Sequence, residues 1–126
     1  MHPFEIEADA DLRTLRLHFR ATVTAQTLQE AADRSAALIA AMKPGFIVVA
    51  DLSELHEMEL DCVPHITRMM DQFRRANVGR VIRIIPDESK DIGFTLLSHT
   101  HYRGAVPFET VATRSEAQAA LATYLR

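Results

Sequence analysis

Five carboxylates crowd one short segment: Asp51, Glu54, Glu57, Glu59 and Asp61, with no lysine or arginine among them. His56 lies between them, and Cys62 and His65 follow at once. Such residues can do three kinds of chemistry. Paired carboxylates act as general acid and base when their surroundings push their pKa values apart. Carboxylates, imidazoles and a thiolate can hold a metal ion. An acidic rim can steer a partner and select among partners. The stretch "DLSELHEMELD" looks wet, which argues against the first. No metal-ligand spacing repeats in it, which argues against the second. Cys62 falls in the first turn of a helix, where the dipole favours a thiolate. The acids around it oppose that charge, so a buried, inert thiol is the plainer reading.

Other clusters carry less. His99 and His101 stand two apart on a helix, pointing about 200° from each other, so they cannot share an ion without a third element. They suit the helix's last turn, where cationic groups complement the dipole. Ser89 precedes Lys90, but adjacent helical residues do not face each other, so no Ser–Lys catalytic pair forms. Glu88 and Asp91 already complement that helix start, leaving no call for a phosphate. No phosphate loop, dinucleotide fingerprint or nucleophile elbow is present. The expectation is therefore no catalytic residue, no cofactor and no metal. Arg68, Arg74, Arg75, Arg80 and Arg83 form a basic run opposed by Asp71 alone. Arg74 and Arg75 end a helix and Arg80 starts a strand, so these should lie at the opposite end of the sheet from the acids. Arg83 interrupts "VIRII" in mid-strand: it either snorkels at an edge, pairs with a carboxylate, or lines an anion pocket.

These side chains need a scaffold. A chain of 126 residues is one domain. Its 48% hydrophobic and 25% charged content is ordinary for a globular protein. A net charge of -3 gives no support for a nucleic-acid partner. A single cysteine allows no internal disulfide and fits a reducing compartment. "MHPFEIEAD" does not read as a secretion signal, and no apolar run nears the ~20 residues of a membrane span. A cytoplasmic protein is expected.

Apolar and polar residues alternate over Phe4–Ala8 and again over Thr14–Arg20, a hairpin with one wet face at a sheet edge. Leu28, Ala31, Ala32, Ser35, Leu38, Ile39 and Met42 share a helix face. Thr24 or Thr27 caps that helix, Thr27 with Glu30 forming a capping box. "FIVVADL" is a strand buried on both sides. Asp61 caps the next helix, Pro64 sits in its first turn, and Val63, Ile66, Met69, Met70 and Phe73 form its inner stripe. "RVIRII" is a strand. A third helix follows Asp87, with Ile92, Leu96 and Leu97 inward and Gly104 after its end. "VPFETV" is a short strand, and "TRSE" is a capping box for a last helix bearing Ala117, Ala120, Leu121 and Tyr124. The order ββαβαβαβα implies an α/β fold: a mixed, mostly parallel five-stranded sheet flanked by about four helices.

With a strand hairpin, a helix, "VVADLS", a loop and an Asp-led helix, the chain resembles the STAS domain, the fold of sulfate-transporter tails and anti-sigma-factor antagonists. "DLSEL", "RVIRIIPDESKDIGF" and "FETVATRSEAQAAL" are similar to the SpoIIAA-like group of small stand-alone bacterial proteins. The resemblance spans nearly the whole chain. In antagonists an Asp-Ser-Ser-Gly motif opens the helix, and its serine is phosphorylated. Asp51, Leu52 and Ser53 match the end of the family's strand, and Asp61 matches the Asp before the helix. Cys62, Val63 and Pro64 stand where Ser, Ser and Gly belong. The resemblance thus implies the fold without that phosphorylation switch.

The loop is expected to run about eight residues against the usual 2–6, at the strand end where open α/β sheets bind ligands. Ser53, Glu54, Leu55, His56, Glu57, Met58, Glu59, Leu60 and Asp61 are the expected partner- or ligand-binding surface of a non-enzymatic regulatory module. The bland alternative is a solvated acidic loop. A second function is a small apolar-ligand or lipid carrier similar to CRAL-TRIO domains, with Met58, Met69, Met70 and Phe94 lining a pocket. A small hydrolase-type enzyme is the third. The partner is a protein or a small ligand, and a homodimer stays open.

Overall fold

The computed structural model describes residues 3–87 and 105–125. Strands β1 (Phe4–Asp9) and β2 (Thr14–Val23) form the hairpin, followed by helix α1 (Ala25–Ile39) and strand β3 (Ile47–Met58). A 3₁₀ turn (Leu60–Cys62) leads into helix α2 (Val63–Arg75), then strand β4 (Arg80–Ile84). Strand β5 (Phe108–Val111) and helix α3 (Arg114–Tyr124) complete the described chain. The sheet order is β1-β2-β3-β4-β5, with only the β1–β2 pair antiparallel. The mixed α/β architecture is as expected. Three helices lie among the described residues. The expected third helix, with Ser89, Lys90, Phe94, His99, His101 and Arg103, lies outside them.

The period-2 alternation of β2 divides the two faces of the sheet. Leu15, Leu17 and Phe19 point one way, into a core shared with Val48, Ala50 and Leu52 of β3, Leu28, Ala31 and Ala32 of α1, and Met69, Met70 and Phe73 of α2. Each fully buried side chain of this size is worth about 1.5–3 kcal/mol. The helix stripes read from sequence are therefore the inner faces of α1 and α2, with two corrections: Val63 is exposed at the start of α2, and Met42 lies beyond the end of α1. The second face holds a smaller core, Ile47, Val49, Ile82 and Ile84 under Ala117 and Leu121 of α3. This core covers β3 and β4. It leaves Arg16, His18 and Arg20 of β2, each half-buried, beside it.

Helix starts follow their polar residues with two corrections. Thr24 caps α1, its Oγ1 accepting from the Thr27 amide at 3.2 Å. Thr27 is thus inside the helix, its hydroxyl paired with that of Thr24, and the Thr27–Glu30 box does not form the start. Thr113 caps α3 through the Glu116 amide at 3.1 Å. Asp61 does not cap α2. It sits within the 3₁₀ turn, and Cys62 holds the cap position with no side-chain hydrogen bond. The extra tight turn absorbs the position that the aspartate would have filled.

At the other end of the sheet, two connections are stapled together. The Gly45 amide donates to the Asn77 carbonyl at 2.8 Å, and the Gly79 amide donates to the Phe46 carbonyl at 2.7 Å. Gly45 has φ +90°, a left-handed conformation that glycine adopts freely. A Cβ on Gly79 would stand 2.7 Å from the Gly45 carbonyl oxygen, so only glycine permits this approach.

For Arg83 the structure removes one of the three expected settings, the sheet edge. β4 is an inner strand, so Arg83 is not at an edge. It is 3% exposed, on the α1–α2 side among apolar residues, its guanidinium 5.0 Å from the centre of the Phe108 ring. A cation over an aromatic face is attracted by the ring quadrupole.

Candidate functional site

The expected loop is mostly strand. β3 continues to Met58 because β2 runs on beside it, pairing Arg20 with Glu54, Ala21 with Leu55, Thr22 with Glu57 and Val23 with Met58. The backbone groups of residues 53–58 therefore have a strand beside them, which a free loop lacks. Two register shifts interrupt the pairing, between His18 and Arg20 and between Ala21 and Thr22. Each inserts one extra β3 residue, a bulge that turns the following side chains over. Ala21 takes φ 53° at the second shift. The true connection to α2 is short: Glu59, then the 3₁₀ turn.

The nine expected site residues accordingly split. Leu55 faces the core and is buried. Met58 is half-buried and lines a small apolar space with Ile66, Met69 and Met70. His56, Glu57, Glu59 and Asp61 are exposed. Leu60 is 88% exposed at the tip of the turn, and Val63 at the start of α2 is 39% exposed. Cys62 between them is buried, its Sγ donating to the Val23 carbonyl at 3.4 Å. Burial, and then the Glu59 charge, push its thiol pKa up. The neutral, inert form is favoured, as the acidic surroundings implied.

Ser53 and Glu54 belong to a second group on the α3 side of the sheet. Arg114, in the first turn of α3, donates from Nε to Asp51 Oδ2 at 2.6 Å and from Nη2 to Glu54 Oε1 at 2.7 Å. The first bulge makes this fork work, because it turns Asp51 and Glu54, three residues apart, to the same face. Ser53 closes the other oxygen of Asp51, its hydroxyl at 2.5 Å and its amide at 2.9 Å. Arg20 bridges from Glu5 at 3.1 Å to Glu54 at 3.7 Å. His18 lies between, its Nδ1 at 3.2 Å from Arg20 Nη2 and its Nε2 at 3.6 Å from Glu54 Oε1.

Burial pushes the Asp51 carboxyl up, but the Ser53 hydrogen bonds and the Arg114 guanidinium outweigh it and hold Asp51 below its usual value. The Arg114 hydrogen bond likewise holds Glu54 down. Both acids are thus kept ionised, the opposite of the split pair that acid–base catalysis needs. Arg114, His18 and Arg20 were not singled out from sequence. Arg114 is 63 residues from Asp51, and no local pattern ties the two. The wet face of β2 was the available signal for His18 and Arg20.

Three of the basic run, Arg74, Arg75 and Arg80, sit where expected, and Arg68 and buried Arg83 lie elsewhere. Arg74 and Arg75 end α2 and Arg80 opens β4, at the opposite end of the sheet from Leu60. Arg80 stacks on Tyr124, 4.0 Å from the ring centre. Arg68 pairs across the helices with Asp33 of α1. Among the described residues, no three metal-ligating side chains converge, and no helix is long and apolar enough to cross a membrane.

No family model matches the sequence, and no curated protein matches it. Solved structures do. An uncharacterized DUF3478-family protein with a SpoIIAA-like fold from Shewanella loihica PV-4 superposes with a TM-score of 0.74 at 14% identity, covering 96% of this chain and 95% of that one. The anti-sigma factor antagonist SpoIIAA in its unphosphorylated form gives 0.69 at 16% identity over 94% and 97% of the two chains. An anti-sigma factor antagonist from Mycobacterium paratuberculosis gives 0.58 at 14% identity, with 94% of each chain covered. The chain has the SpoIIAA-like, STAS-type fold over nearly its full length.

Proposed function

We propose that this chain is a non-enzymatic, protein-binding regulatory module whose partner docks on Ser53–Asp61 and the exposed start of α2. Leu60 carries the reading. It stands 88% exposed at the end of the central strand, with Val63 beside it on α2 and Glu57, Glu59 and Asp61 around it. A small apolar centre inside a charged rim is the anatomy of a protein interface, and the rim sets association rate and selectivity. Leu55 is withdrawn from that centre, being buried, and Ser53 and Glu54 are withdrawn from its rim, being tied to Asp51 and Arg114 on the α3 side. The regulatory role gains support from solved structures of this fold that are anti-sigma factor antagonists. Such a partner carries a basic rim, which an acidic surface selects over nucleic acid, and the cytoplasm is where the module works. A second copy of the chain is one candidate partner.

Docking here is not gated by phosphate at the start of α2, because Cys62, Val63 and Pro64 offer no hydroxyl. The carrier alternative has less behind it. The apolar space beside Met58, Met69 and Met70 is about 60 Å³, against roughly 300–1,000 Å³ for small-molecule pockets. The enzyme alternative gains nothing from Asp51 and Glu54, which are both held ionised.

The test is crosslinked capture in the native host, comparing wild type with Leu60→Asp, with Glu57→Lys plus Glu59→Lys, and with Arg75→Glu. All four residues are exposed, so melting temperatures should agree. Leu60→Asp and the glutamate pair should lose the partner, and Arg75→Glu should keep it. Loss in Arg75→Glu alone places the function at the opposite end of the sheet.

A further inference from the structure

The α3 side of the sheet holds a cleft of about 330 Å³, within the range of small-ligand pockets. It is separate from the Leu60 surface. We propose that it binds a small zwitterion with an aliphatic side chain, of the chemical class of free α-amino acids.

The register of the sheet builds the cleft in two rows. Glu7, Arg16 and Val49 stand side by side on β1, β2 and β3, and Glu5, His18, Asp51 and Ile84 form the next row. Its charged side is built by Glu5, Glu7 and Arg16 of the hairpin with Asp51 of β3 and Arg114 of α3, and its apolar side by Val49 and Ile84 with Ala117 and Leu121 of α3, where Gln118 adds one amide. The cleft is the seam where α3 stops covering the sheet.

Its charges fall into two classes. Arg114, Asp51 and Glu54 are tied to one another through short, fixed bonds, with Arg20 bridging Glu54 to Glu5, so they form a net-acidic wall whose polar groups are already engaged. Arg16 and Glu7 differ. They are direct cross-strand neighbours, yet among the described residues neither makes an ion pair, although Arg20 and Arg114 on the same face both do. The cleft therefore presents one uncommitted guanidinium and one uncommitted carboxylate next to an aliphatic wall.

That arrangement selects its ligand by exclusion. A simple carboxylate would meet Arg16 but also Glu5 and Glu7. A simple amine would meet those acids but also Arg16 and Arg114. A zwitterion places its carboxylate on Arg16, whose planar fork grips it with two bonds, and its ammonium on Glu7. Val49, Ile84, Ala117 and Leu121 offer no ring for stacking and no polar side chain, so the side chain they cover is aliphatic.

The experiment titrates the ¹⁵N-labelled chain with L-leucine, then with 3-methylbutylamine, which lacks the carboxylate, and with 4-methylpentanoate, which lacks the amine. Leucine should give saturable shifts at the amides of Arg16, Val49, Ala117 and Leu121. Either analogue should bind about tenfold or more weakly, the loss expected of one charge-assisted contact. Arg16→Gln and Glu7→Gln should weaken leucine to a similar degree while melting as wild type does, and Leu60→Asp should leave leucine binding unchanged. The proposal is overturned by an absence of saturable shifts up to the solubility of leucine. It is equally overturned by shifts centred away from the cleft, by analogues that match leucine, or by undiminished binding in Arg16→Gln. Because the docking surface is a different one, its success or failure with Leu60→Asp is read independently.

Discussion

Val48 and Val49 are neighbours in the central strand, and an aspartate should have very different effects at the two positions. Val48 is 0% exposed, in the core between the sheet and α1–α2. Aspartate there forfeits about 2 kcal/mol of burial and strands a charge at about 3–5 kcal/mol, roughly 5–7 kcal/mol together. At about 0.05–0.15 kcal/mol per residue, a chain of 126 residues has roughly 6–19 kcal/mol to lose. Val48→Asp should therefore remove about 5–7 kcal/mol, a large share of that stability and all of it at the lower end of the range. Val49 is 9% exposed and lines the cleft, with Arg16 beside it on β2. Neighbouring strands lie about 4.8 Å apart, so a new carboxylate reaches both water and an uncommitted guanidinium. Most of the transfer cost remains and most of the charge cost does not, giving about 2–3 kcal/mol. Urea unfolding followed by far-UV circular dichroism measures both. A double-mutant cycle of Val49→Asp with Arg16→Gln should show coupling of about 0.5–1 kcal/mol. Equal destabilisation by the two aspartates, or no coupling to Arg16, would refute both the division of faces and the uncommitted state of Arg16.

Gly79→Ala should cost about 2–4 kcal/mol, since the 2.7 Å approach to the Gly45 carbonyl must open and strain or break the staple; a melting temperature within two or so degrees of wild type refutes the close approach. Asp51 titrates below its unfolded value, so its contribution is complete above about pH 4 and is lost as pH falls toward the folded value. The stability gap between wild type and Asp51→Asn should accordingly shrink on acidification, and a gap constant between neutral and strongly acidic pH would exclude the Arg114–Ser53 clamp. Phosphate should be absent from Ser53, the serine that precedes the turn into α2, in protein isolated from the native host. Stoichiometric phosphate on Ser53, whose hydroxyl is engaged by Asp51, would show that a switch operates after all.

Much of this fold was legible because its elements obey one period at a time. The alternation of Leu15, Leu17 and Phe19 marks β2, the unbroken "FIVVA" marks the start of β3, and the stripe of Met69, Met70 and Phe73 marks α2. The tight turn ahead of α2 was not legible, because Asp61 is as good a cap by residue type as the position it fails to occupy. Arg83 looked anomalous in a strand because its partner ring, Phe108, is far along the chain. The cleft was invisible for the same reason. Its wall depends on Arg114 meeting Asp51 and Glu54 across the sheet, and pairing at such a distance leaves no trace in local spacing.

The largest misreading, of residues 53–58 as a loop, has a specific physical cause. In a regular strand from Val48 through Ala50 and Leu52, position 54 would face the core and position 55 would face water. The sequence places Glu54 and Leu55 there, which would bury a carboxylate and expose a leucine. The first bulge exchanges them. Regular pairing onward from Leu55 would then bury Glu57 and expose Met58, and the second bulge exchanges those. The core-facing residues become Leu52, Leu55 and Met58, a spacing of three that matches neither a strand's period of two nor a helix's 3.6. A segment obeying neither period reads as loop. Ala21 carries part of the cost on the opposing strand, in a left-handed conformation worth roughly 1–2 kcal/mol of strain. That is less than burying two unpaired carboxylates, so the bulged strand wins. Its consequence is functional geometry: the same exchange that returns Leu55 to the core delivers Glu54 to Arg114 and carries the strand on to Leu60.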